Sequence, residues 1–151
     1  MKLRNEKGFT LLEILVVISL ILIIAGIALP KFIGVADEGK KAKAAAELKT
    51  LQTATESYLL NASSTVPADF ADLEIKLEAA TPRLVGDVSK FYDPFGATST
   101  TNYLYKKSSN DKYYVLHSVG PDKAANITAI SAAGIITGGP GDDIFVSNGS
   151  F

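Results

Sequence analysis

Between positions 9 and 29 the sequence is built of Leu, Ile, Val, Ala, Phe, Gly, Ser and Thr, with one charge, Glu13. A carboxylate in such a run costs about 2.5–3.5 kcal/mol on membrane-insertion scales and demands a partner. No Lys or Arg lies inside the run. A cut between Gly8 and Phe9 would create an α-amine four residues before Glu13, the helical spacing at which two charges meet within a chain, or it could meet Glu13 of a neighbouring chain. A second group of acids, Asp122, Asp142 and Asp143, sits with the glycine-rich stretch Gly138, Gly139, Pro140 and Gly141. Carboxylates and turned backbone carbonyls are the oxygen donors of which a calcium ion takes roughly six to eight. Plain turn chemistry, with Asp capping and Gly supplying positive φ, explains the same residues. The apolar segment 124–136 separates Asp122 from the other two.

Other chemistry is sparse. Cysteine is absent, which excludes disulfides, thiolate nucleophiles and cysteine zinc sites. His117 stands alone in a strand-like run and reads as a structural or surface histidine. No Ser/His/Asp grouping, phosphate loop or HExxH pattern occurs, so no enzyme is expected. A net charge of −1 gives no general attraction to nucleic acid. Lys40, Lys41 and Lys43 lie among acids and read as a solvated helix face.

The elements that must position these residues follow from the hydrophobic pattern. As a helix, residues 9–29 rise about 31 Å, close to the ~30 Å hydrocarbon core of a bilayer. Lys2, Arg4 and Lys7 precede the run, which predicts a cytoplasmic N-terminus and export of everything beyond Lys31. The run is longer than the apolar core of an ordinary secretory signal and leads directly into a helical pattern. Gly26, Pro30 and Gly34 punctuate it, and the proline is expected to kink or loosen the helix. Beyond residue 37 a stripe of Ala44, Leu48, Leu51, Thr55, Tyr58 and Leu59 extends the helix to about 61, and such a stripe is a core-facing one. A short helix is expected to start within Val66, Pro67, Ala68 and Asp69 and to run through Glu78. Residues 102–106 and 112–119 read as a hairpin, and 144–147 as a short third strand. The fold class is α+β, a long N-terminal helix packed on a small antiparallel sheet.

Lys7, Gly8, Phe9, Thr10, Leu11, Leu12 and Glu13, followed by the apolar run and Pro30, closely resemble the class III signal of type IV pilins and type II secretion pseudopilins. The resemblance implies cleavage by a prepilin peptidase after Gly8, N-methylation of Phe9 and a role for Glu13 in subunit docking. It implies a leader at 1–8, a transmembrane and filament-core helix at 9–30, and a pilin-like domain at 31–151. Within that domain a variable loop would occupy 62–96, a hairpin 102–119 and a C-terminal loop 120–151. Asp93-Pro94-Phe95-Gly96, Tyr103-Leu104-Tyr105, Ser118 to Asp122 and Asp143-Ile144 are most similar to the major, G-type pseudopilins. That likeness implies calcium in the C-terminal loop, with Asp122 and Asp143 as ligands and Asp142 beside them. It also implies a helical homo-oligomer in the periplasm that drives protein export from a single-pass inner-membrane subunit. An inner-membrane assembly platform and minor pilins or pseudopilins would be its partners. The alternative is the major pilin of a surface type IV pilus, serving adhesion, motility or DNA uptake.

Overall fold

The computed structural model describes residues 8–61, 65–83 and 85–150, apart from the side chains at 30, 32 and 33. The expected leader therefore lies outside the described residues except for Gly8, as do the first residues of the expected variable loop. Helix α1 (Leu11–Asn61) carries both the apolar run and the amphipathic stripe. It is helical through Gly26, Pro30 and Gly34 in the single chain. Pro30 has no N–H to give the carbonyl four residues back, that of Gly26, and the helix absorbs one missing bond without breaking. The chain divides into two compact units after Glu38, inside α1.

In the second unit, Ala44, Leu48, Leu51 and Ala54 of α1 are buried, and Tyr58 and Leu59 pack against the same core. Thr55, also buried, donates its hydroxyl to the Leu51 carbonyl at 2.7 Å. Helix α2 (Phe70–Ala79) adds Phe70, Leu73 and Leu77. It begins one residue after Asp69, not inside the Val66–Asp69 stretch. Pro67 holds Val66 out of the helical region, and the Asp69 carboxylate caps the helix by accepting from the Asp72 N–H at 2.8 Å. Asp72 answers by accepting from the Ala68 N–H at 2.7 Å, a reciprocal cap of the capping-box kind.

Strands β1 (Leu104–Lys107), β2 (Tyr114–Ser118) and β5 (Ile144–Ser147) form one antiparallel sheet in the order β1-β2-β5. Tyr105 pairs with Leu116, and Leu116 with Val146. Both expected hairpin strands form: the first starts two residues later and ends one later than expected, the second is shorter by two residues at its start and one at its end, and the third forms at 144–147. The central strand β2 is buried throughout. Tyr114 and Leu116 face the α1 and α2 core, while Val115 points to a second cluster with Ile127, Ile130 and Ile136. That second cluster comes from the apolar segment 124–136, which closes into a two-stranded ribbon of β3 (Ala129–Ile130) and β4 (Ile136–Thr137). A sheet covered on one side would alternate polar and apolar residues, whereas Tyr114-Val115-Leu116 is continuous because both its faces are covered.

The loop at 93–96 is tied to the end of β2 by one carboxylate. Asp93, 3% exposed, accepts from the Phe95 N–H at 2.9 Å, the Ser118 hydroxyl at 2.6 Å and the Val119 N–H at 3.0 Å. Asn148 performs a similar service at the other end of the strand, accepting from the Tyr114 N–H and donating to the Lys112 carbonyl.

Asp93→Asn keeps the volume but puts an N–H₂ where an acceptor is needed, leaving a buried donor unsatisfied at a cost of about 1–3 kcal/mol. Thermal unfolding of the full chain in detergent, followed by circular dichroism, should show a midpoint several degrees lower. An unchanged midpoint would mean that this carboxylate does not hold the loop to β2.

Candidate functional site

Two places gather the residues singled out by the sequence. At the N-terminal end, Gly8, Phe9 and Thr10 are not helical and α1 starts at Leu11. Thr10 sets that start, because its hydroxyl accepts from the Glu13 N–H at 3.2 Å, the bond expected of an N-cap residue. Glu13 thus occupies the first turn, where the positive end of the helix dipole favours a carboxylate. Thr10-Leu11-Leu12-Glu13 is a capping-box pattern legible in the sequence, and only the role of Thr10 escaped the reading above. Gly8 and Phe9, the residues flanking the expected cut, are exposed, Phe9 by 80%.

The large apolar side chains that follow, between positions 11 and 29, stay exposed in the single chain. This half of α1 is long and apolar enough to cross a membrane. An apolar surface of this extent marks contact with lipid or with other protein.

The second place is the C-terminal loop. Asp143 is 7% exposed, and its Oδ2 takes three donors at 3.0 Å: the Asn126 N–H, the Ile127 N–H and His117 Nδ1. With a carboxylate as partner, Nδ1 carries the proton. Asp142 Oδ2 accepts from the Asp122 N–H at 2.8 Å, and Asp122 Oδ1 from the Ala124 N–H at 2.7 Å. That Ala124 bond holds the Asp122 carboxyl below the ordinary carboxylate range. The three aspartates therefore meet in one loop, yet among the described residues no three His, Asp or Glu side chains converge as a set that could hold a metal ion. Asn126, which no pattern in the sequence singled out as a site residue, stands at the centre. Its Nδ2 lies 3.1 Å from the Ala124 carbonyl and 3.5 Å from both Asp122 Oδ2 and Asp143 Oδ1.

His117 is fully buried, and its Nε2 has no hydrogen-bond partner among the described residues. Burial is the main influence and pushes its pKa down from 6.5; Lys106 acts in the same direction, while Asp143 and Asp93 oppose it. The histidine is structural, one of the two readings open from the sequence, and it joins β2 to the loop.

A membrane-length helix with a processed-type N-terminus, continuing into an α+β domain, is the build of a pilin-like subunit. Residues 3–29 match the family model described as the prokaryotic N-terminal methylation motif. The type II secretion system core protein G of Escherichia coli (strain K12) is 32% identical over 126 residues, 78% of this chain and 83% of that protein. The core protein G of Vibrio cholerae is 34% identical over 62 residues, 41% of this chain and 42% of that protein. A fimbrial protein of Pseudomonas aeruginosa is 35% identical over 71 residues, 44% of this chain and 46% of that protein. No solved structure matches. The chain belongs to the family of the type II secretion system core protein G, the G-type pseudopilins.

The His117 site makes a pH prediction whose sign is fixed by the downward shift. Above about pH 6.5 the folded and unfolded chains are both neutral at this residue and stability is full; below it the unfolded chain binds the proton first, so stability falls. Lowering pH from about 7.5 to about 5.5 should lower the unfolding midpoint of the full chain. His117→Gln should flatten that part of the profile. Equal pH profiles for the two proteins would refute the assignment.

Proposed function

We propose that the chain is the major pseudopilin of a type II protein secretion system, a subunit whose work is polymerisation. Several observations support this reading, and the likeness to core protein G over most of both chains carries it. In this reading the subunit is inserted with its N-terminus in the cytoplasm and its C-terminal domain in the periplasm, as the basic residues before the apolar run favour. A prepilin peptidase cuts between Gly8 and Phe9, and Phe9 becomes N-methylated. Processed subunits leave the bilayer into a helical homo-oligomer at an inner-membrane assembly platform, with minor pseudopilins as further partners.

The physical drive comes from α1. In lipid the apolar residues are content but Glu13 is not. Among packed helices those residues stay dry, while Glu13 meets the new α-amine of its own or a neighbouring chain. Pairing the two offsets the cost of each and favours one axial register over others. A surface type IV pilus would use the same physics, and the likeness to a fimbrial protein favours that second reading. Long surface fibres would identify it.

Glu13→Val tests the assembly claim. The variant should enter the membrane and be processed like the wild type, seen as the same mobility shift on gels. Filaments in electron micrographs of cells overproducing it should be lost, with the secreted substrate retained in the periplasm. Wild-type filaments from Glu13→Val would sink the pairing mechanism.

A further inference from the structure

We propose that the Asn126 amide closes the C-terminal loop in place of a calcium ion, so that the domain folds and keeps its stability without metal. The proposal departs from the calcium implied by the resemblance and does not depend on the filament reading.

Asn126 Nδ2 is surrounded by acceptors from three directions: the Ala124 carbonyl at 3.1 Å, and Asp122 Oδ2 and Asp143 Oδ1 at 3.5 Å. Three oxygens around one centre is how a hard cation is held, but all three distances exceed the 2.3–2.6 Å typical of calcium; the Ala124 contact is an ordinary N–H hydrogen bond, and the two carboxylate contacts lie at the outer limit of one. The orientation of the amide is fixed by this surrounding. Turning it over would set its oxygen against three other oxygens.

All but one of the remaining carboxylate oxygens also accept hydrogen bonds. Asp143 Oδ2 takes His117 Nδ1 and two backbone N–H groups, Asp142 Oδ2 takes the Asp122 N–H, and Asp122 Oδ1 takes the Ala124 N–H. Of the three aspartates only Asp142 Oδ1 is buried without a donor. A carboxylate oxygen that accepts one hydrogen bond keeps lone-pair capacity, so it is the Asn126 amide at the centre, and not a shortage of oxygens, that stands in the way of a cation. A cation would first have to displace the Asn126 amide.

The glycines fit the same account. Gly138 and Gly141 both have positive φ, and a Cβ at either would strike Asn126, at its carbonyl oxygen and its side-chain amide respectively. They serve close approach to Asn126 as well as the turn itself. Segment 124–136 departs from a compact metal loop because it carries both the amide and the residues Ile127 and Ile130 that cover β2.

Thermal unfolding of the full chain in detergent, with calcium and then with excess EGTA, tests the proposal. A ligand bound only by the folded state must raise its midpoint. The wild type should unfold at the same temperature in both, and Asn126→Ala should unfold several degrees lower in both alike. A wild-type midpoint that rises on adding calcium overturns the proposal, and so does an Asn126→Ala midpoint equal to the wild type in EGTA. Should Asn126→Ala fail to fold, calorimetric titration of the wild type with calcium decides alone. Stoichiometric binding heat overturns the proposal, and its absence supports it.

Discussion

The C-terminal unit depends on the burial of β2 on both faces. Five consecutive residues, Tyr114 to Ser118, are withdrawn from water, and this requires two separate covers. The amphipathic half of α1 with α2 provides one, through Leu48, Leu51 and Leu73. The segment 124–136 provides the other, through Ile127, Ile130 and Ile136. Each cover contributes apolar burial worth about 25 cal/mol per Å², and neither could be removed without exposing the strand.

Two-sided burial forces polar groups at the end of β2 to find partners inside the protein. Two buried carboxylates answer this demand from opposite directions in the sequence. Asp93 receives Ser118 and Val119, and Asp143 receives His117 and the backbone of 126–127. Loops that look variable and unrelated in sequence are thus tied to one strand end. Such charges are tolerable in the interior because their oxygens are met by N–H and O–H donors.

The N-terminal half of α1 follows the opposite rule. Its large apolar side chains are exposed among the described residues, the mark of a surface that meets lipid or other protein. Glu13 is the single exception in that run, and Thr10 holds the helix start so that this carboxylate sits in the first turn. The core that folds lies in the C-terminal unit, and the surface left for contact with lipid or other protein lies along the N-terminal half of α1.

The sequence by itself determined much of this. Periodicity in α1 identified Ala44, Leu48, Leu51 and Thr55 as buried, and alternation with turn residues located the hairpin and β5. The class of protein was legible in Lys7 to Glu13 and the apolar run behind them, a local pattern that resembles the class III signal. Local signals of this kind need only neighbours within about four residues. What the tertiary structure decided involves partners far apart in the chain: the second cover over β2, the union of Asp93 with Ser118, the burial of His117 against Asp143, and the arrival of Asn126 between Asp122 and Asp143. No periodicity marks such meetings, since a hydrogen bond between residues 17 or 26 positions apart depends on where the chain returns rather than on what lies beside it.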